Sequence, residues 1–338
     1  MTHSPSVQAR TLRFALGIFL CVLGVACFTS RAWAADAPGD LRVTHVQGRV
    51  YMISGAGGNV TVQIGDEAVV VVDPGTAAMA NKVLAEIQKL TPKPIEFVLD
   101  TSLDEDHTGG NGAVAKAGAK LSGADNNKTT AMAGQVEGGA SIVSHLAVLD
   151  RLTDLSGKPG GASRKDDLPT DPYDTSTWTV NNDEPIILYH APAAHSDGDT
   201  FVLFRRSDVV STGELFVPYR FPVIDEENGG SINGIIDALN TLIDDILKPD
   251  VNEEGGTYIV PGRGRICDRS DIVNYRDMLT IVRARIAASI AKGKTLQEVK
   301  DAKPTYGYDG LYGAESGPWT TNMFIEAVYH NLTKDKKH

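Results

Sequence analysis

Between Thr101 and Asn111 the chain sets Asp104, Asp106 and His107 directly ahead of Gly109-Gly110-Asn111. Carboxylates and an imidazole crowded into one short loop are the residue types that hold divalent metals or move protons. Three later segments carry further polar groups, each beside a stretch that reads as a strand. They are His190-Ala191-Pro192-Ala193-Ala194-His195, Glu214 after Gly213, and Arg263 between two glycines. Arg263 is a permanent cation that only donates hydrogen bonds, so it does not ligate a metal. A charged grip on an anionic substrate and a salt bridge between loops are its two open roles.

These segments resemble, in order, the motifs of the metallo-β-lactamase superfamily. The loop of that family reads T-H-x-H-x-D-H-x-G-G-N; here Ser102 and Asp104 stand at the two leading histidines, while Asp106, His107 and Gly109-Gly110-Asn111 remain. The segment from His190 to Asp199 is similar to H-x-P-A-A-H-T-D-G-D of an exported branch, which makes His195 the third ligand of the first metal position. His190 is read as a supporting residue. Glu214 stands where T-G-D-L-F has its bridging Asp, and Arg263 where P-G-H-G has its last His. The resemblance implies an α/β fold, an αββα sandwich of two mixed sheets with helices outside, and a site where the loops gather.

It also implies altered chemistry. Asp104, Asp106, His107, His195 and Glu214 are the implied metal ligands, with Asp106 and Arg263 as catalytic candidates. A serine hydroxyl at position 102 is a poor zinc ligand, and a guanidinium at position 263 excludes the usual dizinc centre. Asp104, Asp106 and Glu214 against Arg263 leave the cluster negative, and carboxylates held close repel unless a cation intervenes. One divalent ion, zinc, manganese or iron, balances such a set, with Arg263 standing in for the second. For His107 and His195 the competing role is that of hydrogen-bonded interior histidines. For Asp104 it is a solvated loop carboxylate, and for Asp106 a cap on a helix beginning near Asn111.

The elements that must position these residues follow from hydrophobic periodicity. Residues 42–55 and 60–73 read as strands. Val69 to Val72 is an unbroken apolar run of the kind buried on both faces of a sheet. A helix is expected over 77–90 and a strand over 95–99. Further strands are expected over 185–190, 200–204, 208–211 and 257–260, and helices over 231–247 and 269–291. Residues 125–185 form an insertion, with one amphipathic helix over Ile142–Leu152 and a Gly- and Pro-rich loop over 155–175. Within the closing segment 294–333, residues 294–301 and 319–333 read as two further helices. The whole of 35–333 reads as one domain.

Arg10 and Arg13, an apolar run from Phe14 to Phe28 and Ala32-Trp33-Ala34 have the layout of a secretory signal peptide, cut after residue 34. The run of about 15 residues is short for a bilayer span, which needs about 20; a retained anchor, or lipid on Cys27, are the other readings. A periplasmic protein with no stable membrane span after cleavage is expected. Loss of residues 1–34 takes three arginines and no acid, moving the formal net charge from −11 to −14. That surface disfavours nucleic acid. Cys267 then remains alone and is expected as a buried apolar residue.

Two readings of function stand. One is a metal-dependent hydrolase acting on an ester, lactone or lactam of an unknown small molecule. The other is a non-catalytic pseudoenzyme or binding protein that lost the metal. An oxidative iron site is a weaker third. Metal content separates them.

Overall fold

The computed structural model describes residues 40–120, 139–156, 165–174, 178–181, 183–247 and 256–334. The expected signal segment, and residues 157–164 and 175 of the 155–175 loop, lie outside them. The first sheet begins with β1 (Arg42–Gln47), β2 (Val50–Ser54), β3 (Val60–Ile64) and β4 (Val69–Val72) as an antiparallel meander. Two longer strands were expected here. The chain instead folds back within each: at Gly48, whose φ of 56° suits a residue without Cβ, and at Gly65–Ala68, closed by a 2.9 Å backbone bond. Then β5 (Ile95–Leu99) and β6 (Ser141–Val143) add in parallel, giving the order β1-β2-β3-β4-β5-β6.

The second sheet joins β7 (Trp178–Asn181), β8 (Pro185–His190), β9 (Thr200–Phe204), β10 (Val209–Gly213) and β11 (Tyr258–Pro261) in the order β11-β10-β9-β8-β7. The pair β10–β11 is parallel and the others are antiparallel.

The four valines of β4 show why the sequence makes layers. Successive strand residues point to opposite faces. Val70 and Val72 pack between the sheets with Val202 and Phe204. Val69 and Val71 pack on the other face against Val83 and Ile87 of α1 (Ala80–Leu90). All four are fully buried, each contributing about 1.5–3 kcal/mol of hydrophobic stabilisation. The outer face of the second sheet is closed by α5 (Ile232–Thr241), α6 (Arg269–Ala291) and α9 (Thr321–Lys334), through Ile235, Leu279 and Phe324 on Phe201, Val210 and Ile259. The molecule is therefore the expected αββα sandwich.

Two expectations are corrected. The apolar residues from Ile142 to Leu152 do not form one helix. Ser141–Val143 pairs with β5, since β-branched Ile142 and Val143 fit a buried strand, and α4 (Leu146–Ser156) starts only after His145. Asp106 does not cap the helix at Asn111. It lies inside a short turn, α2 (Glu105–Thr108), and Gly110 precedes α3 (Asn111–Ala117) without a side-chain cap. No helix among the described residues is long and apolar enough to cross a membrane.

Candidate metal and active site

Every site residue follows the C-terminal end of a strand: Asp73 follows β4, Asp104 to His107 follow β5, His195 follows β8, Glu214 follows β10 and Arg263 follows β11. Two backbone devices draw these ends together. Asp73 has φ 53°, a left-handed value that Asp tolerates better than most residues but still at a cost. Its carboxylate accepts from Thr101 N at 2.8 Å and Thr101 Oγ1 at 2.6 Å, so it pins the start of the metal-type loop. Gly213 has φ 51°, and a Cβ there would stand 2.0 Å from Thr101 Oγ1. Only glycine lets β10 deliver Glu214 so close to that loop.

His107 is fully buried between two acids. Its Nδ1 lies 2.8 Å from Asp73 Oδ2, an ion-pair contact outside good hydrogen-bond alignment, and its Nε2 lies 3.2 Å from Glu214 Oε1. Burial opposes the charged ring, but Asp73 and Glu214 outweigh it and raise the His107 pKa well above its usual value. Glu214 is equally buried. Burial alone would raise its pKa; the His107 hydrogen bond and Arg220 overcome that and pull it down to about 2. Arg220 pairs with Glu214 Oε2, and Arg263 Nε lies 3.2 Å from Glu214 Oε1. Arg263 also pairs with Asp106 and donates to the carbonyl of Gly57.

His195 forms a second, adjoining unit. Its Nδ1 lies 3.3 Å from Asp199 Oδ1 and its Nε2 3.5 Å from Asp104 Oδ2. Asp199 is itself held by Ser196 N at 2.6 Å and Ser196 Oγ at 3.1 Å. Burial opposes charge on His195 too, yet Asp199 and Asp104 lift its pKa to about 9. Burial raises Asp104, with His195 working against the rise.

Among the sequence-predicted residues, Asp106, His107 and Glu214 converge, with one donor atom from each within 4.8 Å of the others. Asp104 and His195 pair beside them. Ser102 is fully buried, its hydroxyl 3.4 Å from Asp104 N. His190 stands apart: its Nε2 lies 2.9 Å from the carbonyl of Asp197, and its ring stacks on His145 at 3.6 Å. Sequence reasoning missed Asp73, Asp199 and Arg220. The first two had a signal, an acid ending an all-valine strand and an acid four residues after His195. Arg220 had none.

The donors fit one divalent ion. Two carboxylates and an imidazole whose far nitrogen faces an acid form a familiar ligand pattern, in which the outer carboxylate orients the ring. A cation there would displace Arg263 from Asp106 and Glu214, so guanidinium and metal compete for the same charges. A bound ion would supply Lewis acidity towards a carbonyl. A cavity of 510 Å³ has Asp104 and His195 in its wall.

The sequence pattern of the metallo-beta-lactamase superfamily matches residues 54–263. Comparison with curated protein sequences gives no match. Solved structures do match. A metallo-beta-lactamase from Pontibacter korlensis aligns with a TM-score of 0.53 at 15% identity, over 71% of this chain and 99% of that one. The DIM-1 metallo-beta-lactamase aligns with a TM-score of 0.52 at 13% identity, over 71% of this chain and 97% of that one. A double mutant of the sec-alkyl sulfatase PisA1 aligns with a TM-score of 0.57 at 14% identity, over 86% of this chain but 50% of that one. At such identities the structural likeness carries the fold alone. The family pattern spans well over half of the chain and coincides with a two-sheet sandwich bearing metal-type donors at its strand ends, so this protein belongs to the metallo-beta-lactamase superfamily.

Proposed function

We propose that the protein is a hydrolase that works with a single divalent ion held by Asp106, His107 and Glu214. Its target is the carbonyl of an ester, lactone or lactam in a small molecule. The observation that carries this reading is the convergence of those three donors within 4.8 Å, with Asp73 behind the His107 ring. Arg263 supplies the second positive charge in place of a second ion, and it stands where it can hold a developing oxyanion. Asp104 and His195 face each other in the cavity wall at 3.5 Å and form the acid–base pair on the substrate side. Asp199 fixes the His195 ring for that role.

A second reading has its own support. Arg220 and Arg263 between them already neutralise Glu214, and Arg263 neutralises Asp106. In a binding protein without metal, that ring of ion pairs is the finished state.

Elemental analysis by plasma mass spectrometry decides between the two. The protein is loaded separately with zinc, manganese and ferrous iron and then desalted. About one equivalent per chain is expected in the wild type, lost in His107→Ala and retained or tightened in Arg263→Ala, as the coordination chemistry requires. Turnover on an ester, lactone and lactam panel should follow the metal. Wild-type protein that holds no ion under any of these conditions would sink the hydrolase reading and leave the binding protein.

A further inference from the structure

One side of the cavity beside Asp104 and His195 is built from residues beyond the family match. Met323, Glu326, Ala327 and His330 recur at helical spacing along one face of α9, and Trp319 precedes them. Opposite them stands the segment that ends in Glu227, where Val223 and Ile224 add apolar surface. At 510 Å³ the space falls within the about 300–1,000 Å³ typical of small-molecule sites.

Its charge is mainly negative. The wall holds five carboxylates and, among the described residues, no lysine or arginine; its basic groups are two imidazoles, His195 held against Asp104 and His330 3.5 Å from Glu226. Three of the acids are committed elsewhere: Glu226 accepts from Asn331 at 3.0 Å and Lys334 at 3.2 Å, Glu326 pairs with Lys300 at 2.7 Å, and Asp225 holds Asn228. The two lysines sit outside the wall, and the two imidazoles inside it are outnumbered by the five carboxylates, so the field inside stays negative. Glu227 is exposed and has no ion pair among the described residues.

One further group in the wall lacks a partner. The indole Nε1 of Trp319 is buried without an acceptor. A buried donor with no partner costs stability, and a ligand acceptor would satisfy it.

We propose that this cavity is the substrate pocket, and that it selects organic ammonium compounds: an apolar chain or ring against Trp319, Met323 and Ile224, with a positive amine at Glu227. Anionic molecules of the same shape, carboxylates and sulfate esters among them, are repelled by the wall. The assignment of this space to substrate rests on the hydrolase reading, but the ligand class does not require turnover.

The test is therefore binding, measured by isothermal titration on full-length protein stripped of metal. Three probes share one body: phenylpropylamine, phenylpropanol and phenylpropanoate. The ammonium probe is expected to bind about tenfold more tightly than the carboxylate at low salt, with the gap narrowing as salt rises. Glu227→Lys should close or invert that gap while leaving the alcohol unchanged. Met323→Trp should weaken all three by filling the cavity, with the melting temperature confirming a folded protein. Equal or tighter binding of the carboxylate, absence of binding by the amine, or amine binding that ignores Met323→Trp would each overturn the proposal. Metal content and turnover play no part in this readout, so a failed hydrolase reading and a failed pocket are distinguishable.

Discussion

Glu214 is buried to 3% exposure, and two arginines reach it from different parts of the chain. The two contacts are unequal. Arg220 caps one oxygen that has no other ion-pair partner among the described residues, whereas Arg263 shares the other oxygen with His107. Removing Arg220 leaves a buried carboxylate half-compensated, which costs about 3 kcal/mol in Arg220→Ala. Arg263→Ala should cost about 1 kcal/mol, because His107 remains and Asp106 can turn to solvent. Urea denaturation measures both, and equal costs would show that the guanidiniums are interchangeable. At this scale the candidate ligands were legible because each sits inside a motif with a glycine turn. Arg220 was not, since a lone arginine six residues after Glu214 carries no local pattern and its role exists only once Phe216 and Tyr275 have packed beneath that turn. Asp73 went unseen for the opposite reason: Asp-Pro-Gly has the composition of a turn, which hides a carboxylate that ties Thr101 to His107.

Strands and helices with a clean period were read to the residue. β5, β8, β9 and α6 stand where periodicity placed them, and α1 and α5 differ only at their ends. β7 was missed inside the segment read as an insertion; the other failures named are places where apolar content continues across a turn. β1 and β2 read as one strand because the break at Gly48 interrupts an alternating pattern for only two residues. β6 read as helix because three strand residues cannot display a period. The same reasoning makes a prediction for α6. Asp268 accepts from Ser270 N at 2.8 Å and Asp271 N at 3.1 Å, and Asp271 returns a bond to Asp268 N at 3.1 Å. This reciprocal box ends the orphaned amides of a 23-residue helix. Asp268→Ala should therefore lower stability by about 1 kcal/mol. Metal content should not change, because the cap lies outside the ligand set. A loss of metal in that variant would mean that the start of α6 sets the position of Arg263 through the short segment between them.

The family pattern ends at residue 263, yet the molecule does not. On the second sheet's outer face, the residues that cover Phe201, Val210 and Ile259 include Ile272, Tyr275, Leu279 and Val282 of α6 and Phe324, Ile325 and Val328 of α9. Each buried side chain of this size contributes about 1.5–3 kcal/mol, so together their contribution is as large as the about 5–15 kcal/mol that holds a typical domain folded. The C-terminal helices are thus a layer of the sandwich rather than an appendage, and α9 serves both that layer and the cavity wall. A chain ending at Gly264 should lose the cooperative urea transition altogether. Cys267 offers a sensitive reporter within the intact protein. It is 2% exposed, and burial pushes its thiol pKa far up, so the reactive thiolate is suppressed. In full-length protein its labelling by an aromatic disulfide reagent should be slow and should accelerate in step with global unfolding as urea is raised. In a chain ending at Ala302, which keeps the thiol but lacks α9, labelling should be complete within the mixing time. Protection of Cys267 in that shortened chain would show that α6 seals the sheet unaided, and the dual role given to α9 would then reduce to the cavity alone.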